Sequence, residues 1–203
     1  MAHSSSNQQP QKPSGAAVQR PELTQALYRA FFDEWAERGY AAISLERVAK
    51  KAGAGKAAIY RRWSSKREFA NEAIEDVALA VTPIPDEDSL EADIAAFLRS
   101  LAILFRHPQI RRILPDLLAE RARSDELASL LETIAMARRS RAKDLLDRAI
   151  ARDELPVDLD RELALDLLPS PLYWRMIVNQ RRISLTELHR QAHVLAMALK
   201  AAG

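Results

Sequence analysis

The 203-residue chain balances 30 Lys and Arg against 28 Asp and Glu, is 48% hydrophobic and contains no cysteine. The lack of cysteine excludes disulfides, zinc–thiolate sites and thiol nucleophiles. No apolar run reaches the roughly 18 residues of a membrane span, and the N-terminus lacks a secretory signal, so a cytoplasmic protein is expected.

In chain order, residues 1–20 are rich in Ser, Gln and Pro and read as a disordered leader. Helical periodicity starts near Glu22. Leu23, Leu27, Ala30, Phe31 and Trp35 form one apolar stripe up to Arg38, with Gly39 placed to end the helix. Ser44 is an N-cap for a second helix, Leu45 to Ala52, and a third runs from about Lys56 to Trp63. Ser65 and Glu68 form a capping box for a fourth helix that ends before Pro83. The break at 82–86, with Pro83 and Pro85, reads as a subdomain boundary. Asp88 and Glu91 open a fifth helix that stops near His107-Pro108. A sixth holds Pro115 and is expected to be short or kinked, and Ser124 caps a long seventh reaching about Arg152. An eighth starts near Asp160 and is disturbed by Pro169 and Pro171. Ser184 and Glu187 form a second capping box for the last helix, to about Ala201. There is no glycine between Gly55 and Gly203 and no Asn-Gly or Asp-Gly hairpin signal. The expectation is an all-α chain of about nine helices: a leader over 1–20, a three-helix N-terminal domain over 21–68, and a helical C-terminal domain over 69–203.

The net charge of +2 hides an uneven distribution. Residues 47–67 hold eight Lys and Arg and no acid, so the remainder is acidic. A basic segment on an acidic body suits a polyanionic partner. Within it, Ser44 to Lys66 reads as two short helices joined at Ala52-Gly53-Ala54, where Gly53 supplies a turn that a β-carbon opposes. Val48, Ala49, Ala54, Ile59 and Trp63 supply a small core. This is a helix-turn-helix, whose second helix enters the major groove. Lys56 sits where it can donate to guanine O6 or N7, Ala57 lets the backbone approach, and Tyr60 and Arg61 follow one turn later. Ser44 and Lys66, at helix starts, suit phosphate. The fourth helix, joining the two regions, is the expected lever between them.

Gly39-Tyr40, Ser44, Val48-Ala49, Ala52-Gly53, Lys56, Ile59-Tyr60 and Ser65-Lys66 resemble the signature of the TetR family of repressors, and Ile59 to Lys66 is especially similar to an AcrR-like branch. Gly55 departs from the Ser usual before the signature Lys, removing a hydroxyl that would cap the helix. The resemblance implies a homodimer on double-stranded, palindromic operator DNA, joined through the last two helices. It also implies a C-terminal cavity for a small hydrophobic or amphipathic ligand that releases the DNA. By matching position it assigns DNA-contact roles to Ser44, Lys56, Ala57, Tyr60, Arg61 and Lys66.

Phe97, Leu101, Leu104, Phe105, Leu118, Ile134, Tyr173, Trp174 and Met176 are candidates to line that cavity, because pockets are mostly apolar and the Pro169/Pro171 break opens local space. Each also fits ordinary core. His189 and His193 have a four-residue helical spacing but no evident third ligand, so neither a metal nor a cofactor is expected. No Gly-rich phosphate loop or nucleophile elbow supports an enzyme. The alternative is a helical lipid- or partner-binding module with a basic surface. The placement of the basic residues on a turn-bearing motif, rather than on one amphipathic helix, argues against membrane binding.

Overall fold

The computed structural model describes residues 15–79, 85–122 and 128–201, the side chains of 15–20, 77–79, 121, 128–131, 133, 134, 137 and 138 excepted. All regular structure in these residues is helical: α1 (Gly15–Arg38), α2 (Leu45–Lys51), α3 (Lys56–Tyr60), α4 (Lys66–Leu79), α5 (Leu90–Arg106), α6 (Pro108–Arg121), α7 (Ala128–Ala151), α8 (Arg161–Leu167), α9 (Ser170–Tyr173) with a π-helical turn Trp174–Val178, and α10 (Leu185–Lys200). Counting α8, α9 and the π turn as one interrupted helix gives nine among the described residues. The interruption falls at Pro169 and Pro171, where the missing N–H groups break the hydrogen-bond ladder.

Helix α1 starts at Gly15, seven residues before the expected Glu22, and carries Pro21 inside it. The Ala16, Ala17, Gln19 and Arg20 run has good helix propensity, and one proline removes only one backbone bond. Helix α6 likewise continues through Pro115 for 14 residues, where a short or kinked helix is expected. The cap of α5 is Ser89, which accepts from the Ala92 N–H, and not Asp88, which has left-handed backbone. The expected Ser124 cap, residues 82–84 of the 82–86 break and residues 1–14 of the leader lie outside the described residues.

Two apolar cores form. The first gathers Leu27, Phe31, Trp35, Val48, Ile59, Trp63 and Phe69 from α1–α4 and their turns. Trp63 and Phe69 meet edge-on with centroids 4.5 Å apart, an arrangement that adds to plain burial. The second packs α10 along α5, and adds α7, α8, α9 and the π turn.

Helix α6 belongs to both cores. Ile113 and Leu117 are buried in the first, and Leu114 packs against each. Polar ties reinforce that seat. Asp116 Oδ2 accepts from Trp35 Nε1 at 2.7 Å and from the Tyr40 N–H at 2.9 Å. Gly39 lies beside them at φ +80°, so close that a β-carbon would sit 3.0 Å from Asp116 Oδ1. Helix α4, the expected lever, packs on α7, so α4 and α6 both bridge the two cores.

Candidate nucleic-acid interface

Helix α2 starts at Ser44, whose Oγ accepts from the Arg47 N–H. It ends with Gly53 at φ +71°. The Gly53 N–H donates to Lys50 O and the Ala54 N–H to Ala49 O, at 3.2 and 2.8 Å, the paired bonds that close a helix through a left-handed residue. No atom comes within 4 Å of a β-carbon built on Gly53, so the demand there is conformational alone. The chain then re-enters a helix at Lys56. Gly55, its N-cap, makes no side-chain cap bond.

One face of α3 is locked: Ile59 and the following Trp63 are fully buried, and Trp63 Nε1 donates to Glu72 on α4 at 2.6 Å. Tyr28 also donates to Glu72, at 2.6 Å. Burial, and then Glu72, push the Tyr28 phenol well above its ordinary range. The opposite face turns outward, with Lys56, Ala57 and Arg61 exposed and Tyr60 46% exposed.

The eight cations of the basic segment divide by partner. Arg47 donates to Glu34 at 2.5 Å and to Ala42 O at 2.6 Å. Lys51 pairs with Asp33 and Glu37. Arg62 lies over the Trp63 ring and donates to Thr24. Lys66 donates to Tyr40 O at 3.0 Å and sits 4.3 Å from the Tyr40 ring centre. These four hold the motif to α1 and the α1–α2 turn. Lys56 faces outward but pairs with Glu46 on α2. That bond and the Glu46 charge raise its pKa, so it stays charged at neutral pH. Lys50, Arg61 and Arg67 have no side-chain partner among the described residues. Sequence reasoning missed Glu46, which stands one residue before the acid-free window.

The structure therefore places Ser44 at the cap of α2 and Lys56, Ala57, Tyr60 and Arg61 along α3, with the Lys66 ammonium turned back onto backbone carbonyls. The residues expected to line a cavity differ in exposure. Phe97 and Leu101 are core; Leu104, Leu118 and Trp174 are exposed, Trp174 by 62%; Tyr173 is half-buried against Phe105. The Ile134 side chain lies outside the described residues. Phe105 and Met176 of this set line a cleft of about 460 Å³. A groove of about 540 Å³ between α5 and α10 has Ala92, Ala95, Ala192 and Ala196 on its walls and His189 at its edge. His193 Nδ1 lies 2.9 Å from Glu91 Oε2 beside that groove.

Among the described residues no helix is long and apolar enough to cross a membrane.

Residues 25–73 match the family model described as bacterial regulatory proteins, tetR family. Residues 84–195 match the tetracyclin repressor-like C-terminal domain. The chain is 29% identical over 155 residues to the uncharacterized HTH-type transcriptional regulator YdeS of Bacillus subtilis, covering 76% of this chain and 78% of that protein. It is 30% identical over 145 residues to the DNA-binding transcriptional repressor TetR of Mycobacteroides abscessus, covering 70% and 75%. The solved structure of the flavonoid-responsive regulator FrrA has the same fold, with a TM-score of 0.68 at 19% identity over 90% of this chain and 97% of that one. A helix-turn-helix with Lys56 and Arg61 outward, continuous with a matching helical C-terminal domain, makes this chain a member of the TetR family of transcriptional regulators, which are not enzymes.

Proposed function

We propose that the protein is a repressor that binds a palindromic operator as a homodimer and releases it on binding a small molecule, with the Ile59–Lys66 segment placing it in an AcrR-like branch. The observation that carries the reading is the two-faced α3: Ile59 anchors it in the core while Lys56, Ala57, Tyr60 and Arg61 face outward. Lys56 and Arg61 supply donors for base edges and phosphates. The domain division proposed is 21–68 for the reader and 69–203 for dimerisation and response.

Support for a dimer comes from the last two helical segments. Leu163, Trp174 and Val178, and on α10 Val194 and Met197, are each about half exposed or more. Apolar side chains left exposed on these two segments are what a partner surface would cover. The M. abscessus relative is named a repressor and FrrA a flavonoid-responsive regulator, which supports repression and ligand response.

Release needs only a modest preference of the ligand for a dimer whose readers are misplaced, about 1–3 kcal/mol. Both α4 and α6 are placed to transmit it. The test is selection of bound duplexes from a random pool by the purified protein. The expected result is a two-fold symmetric sequence with half-site centres one helical turn apart, about 34–36 Å. Recovery of no sequence, or of a single asymmetric site bound by one chain, contradicts the proposal.

A further inference from the structure

The cleft that holds Phe105 and Met176 has a rim unlike its floor. Phe105, Met176 and Ile183 are buried beneath it, while Arg106, Arg111, Arg181 and Arg182 surround it. An adjoining hollow of about 340 Å³ shares Arg111, Met176 and Gln180 and adds Arg112. Five arginines thus come from α5, α6 and the loop before α10, and among the described residues no carboxylate lines either hollow. Arg111, Arg112, Arg181 and Arg182 have no carboxylate partner among the described residues. The first turn of α6 adds the positive end of a 14-residue helix at Pro108.

The loop is braced to hold this arrangement. Arg106 donates to Ile183 O at 3.0 Å and Arg175 to Arg182 O at 3.1 Å, while Arg175 is itself fixed by Glu187. Gln180 takes left-handed backbone at φ +51°, a conformation costly for a residue with a β-carbon. Like charges gathered without counter-charges disfavour one another, and an anion between them removes that penalty. Guanidinium groups match phosphate and carboxylate oxygens in pairs.

We propose that this cleft is the effector site and that it takes an organic anion of multiple charge with a short apolar portion, such as a phosphate monoester. The charged head lies among the arginines and the apolar part on Phe105 and Met176. The assignment rests on the ligand-release reading above and names its ligand class. It also supplies the coupling: Arg111 and Arg112 stand on α6, whose later residues Ile113, Asp116 and Leu117 seat it against the reader. An anion joining Arg111 to Arg181 and Arg182 draws the start of α6 toward the C-terminal core. The concave shape and apolar floor favour a small anion over a DNA backbone.

Calorimetry on the full chain without DNA tests the site. The probes are octyl phosphate, inorganic pyrophosphate, and octanol as the uncharged control. Octyl phosphate is expected to bind one per chain and more tightly than pyrophosphate, octanol not at all. The double variant Arg111→Gln/Arg181→Gln, both exposed positions, is expected to lose at least about tenfold in affinity while unfolding as cooperatively as the parent. No saturable binding of either anion, or equal binding by the variant, overturns the proposal. So does a variant that weakens duplex binding when neither anion binds, which would assign the arginines to DNA. Because the titration contains no duplex, a chain that binds anion but is not released from DNA by it keeps this site and loses the release reading instead.

Discussion

Glu46 and Lys56 face each other across the two helices of the reader, and their pairing puts a carboxylate where phosphates are to approach. Replacing it with the neutral Glu46→Gln removes that repulsion and frees the ammonium. Duplex affinity is expected to rise several-fold with a steeper salt dependence, read by fluorescence anisotropy; unchanged or weaker binding would place Glu46 away from the DNA. The two left-handed glycines separate two physical demands. Gly53→Ala costs only the conformation, about 1–2 kcal/mol. Gly39→Ala costs that and a contact with Asp116 at 3.0 Å, so its loss of stability in urea unfolding is expected to be the larger. Ser44, Gly53, Ile59 and Trp63 were legible in the sequence because each acts on neighbours within one or two turns. Asp116 was not, because its partners Trp35 and Tyr40 are 81 and 76 residues away and no local pattern marks such a pairing. The inward turn of Lys66 was equally hidden, since a lysine beside a helix start reads the same whether it faces carbonyls or phosphates.

At the scale of elements, helix starts were largely readable and long-range seats were not. The box at Ser184 and Glu187 forms as expected. At α4 the Ser65 hydroxyl accepts from the Glu68 N–H, but the Glu68 carboxylate reaches the Ser64 N–H and hydroxyl instead. Bonds from Ser64 hold the Glu68 carboxyl below the usual glutamate range, and those from Ser184 do the same for Glu187. A carboxyl whose pKa is lower folded than unfolded stabilises fully above its unfolded pKa, near about 4.3, and loses that contribution as pH falls through the lowered value. Glu68→Gln and Glu187→Gln are therefore expected to flatten the acid limb of the stability–pH curve; an unchanged limb would contradict the cap assignment. For α6 the seat on α1 is the testable feature. Asp116→Ala removes two charge-assisted acceptor bonds and leaves the Trp35 N–H without its partner, a cost of about 2–3 kcal/mol, measured by urea unfolding. An α6 that merely lies against α1 would tolerate the change at well under 1 kcal/mol.

For the whole molecule, the all-helical class was readable from periodicity and the scarcity of glycine. The start of α1 lies before the expected Glu22 because the helix continues back through Pro21 into residues that carry no apolar stripe. The ligand site was the least legible part, since apolar residues at helical spacing fill cores and line clefts alike: Phe97, Leu101, Phe105 and Met176 share one core, and Phe105 and Met176 also line the cleft. The arginines around that cleft are spread over about 75 residues of sequence and only the fold collects them. The dimer proposal predicts that Trp174→Glu, at a position 62% exposed in the single chain, yields monomers by analytical ultracentrifugation and weakens duplex binding with them; a dimer that survives would move the interface elsewhere. The most direct test of the central claim, that α2 and α3 form a cationic reader of duplex DNA, is the affinity for a selected duplex measured from about 50 to 200 mM salt for the parent and Lys56→Ala. The account predicts a steep linear fall of log affinity with log salt. It also predicts a roughly 5- to 150-fold loss in the variant with relaxed preference at one base of each half-site. Affinity indifferent to salt, or a Lys56→Ala chain that binds and discriminates as the parent does, would contradict it.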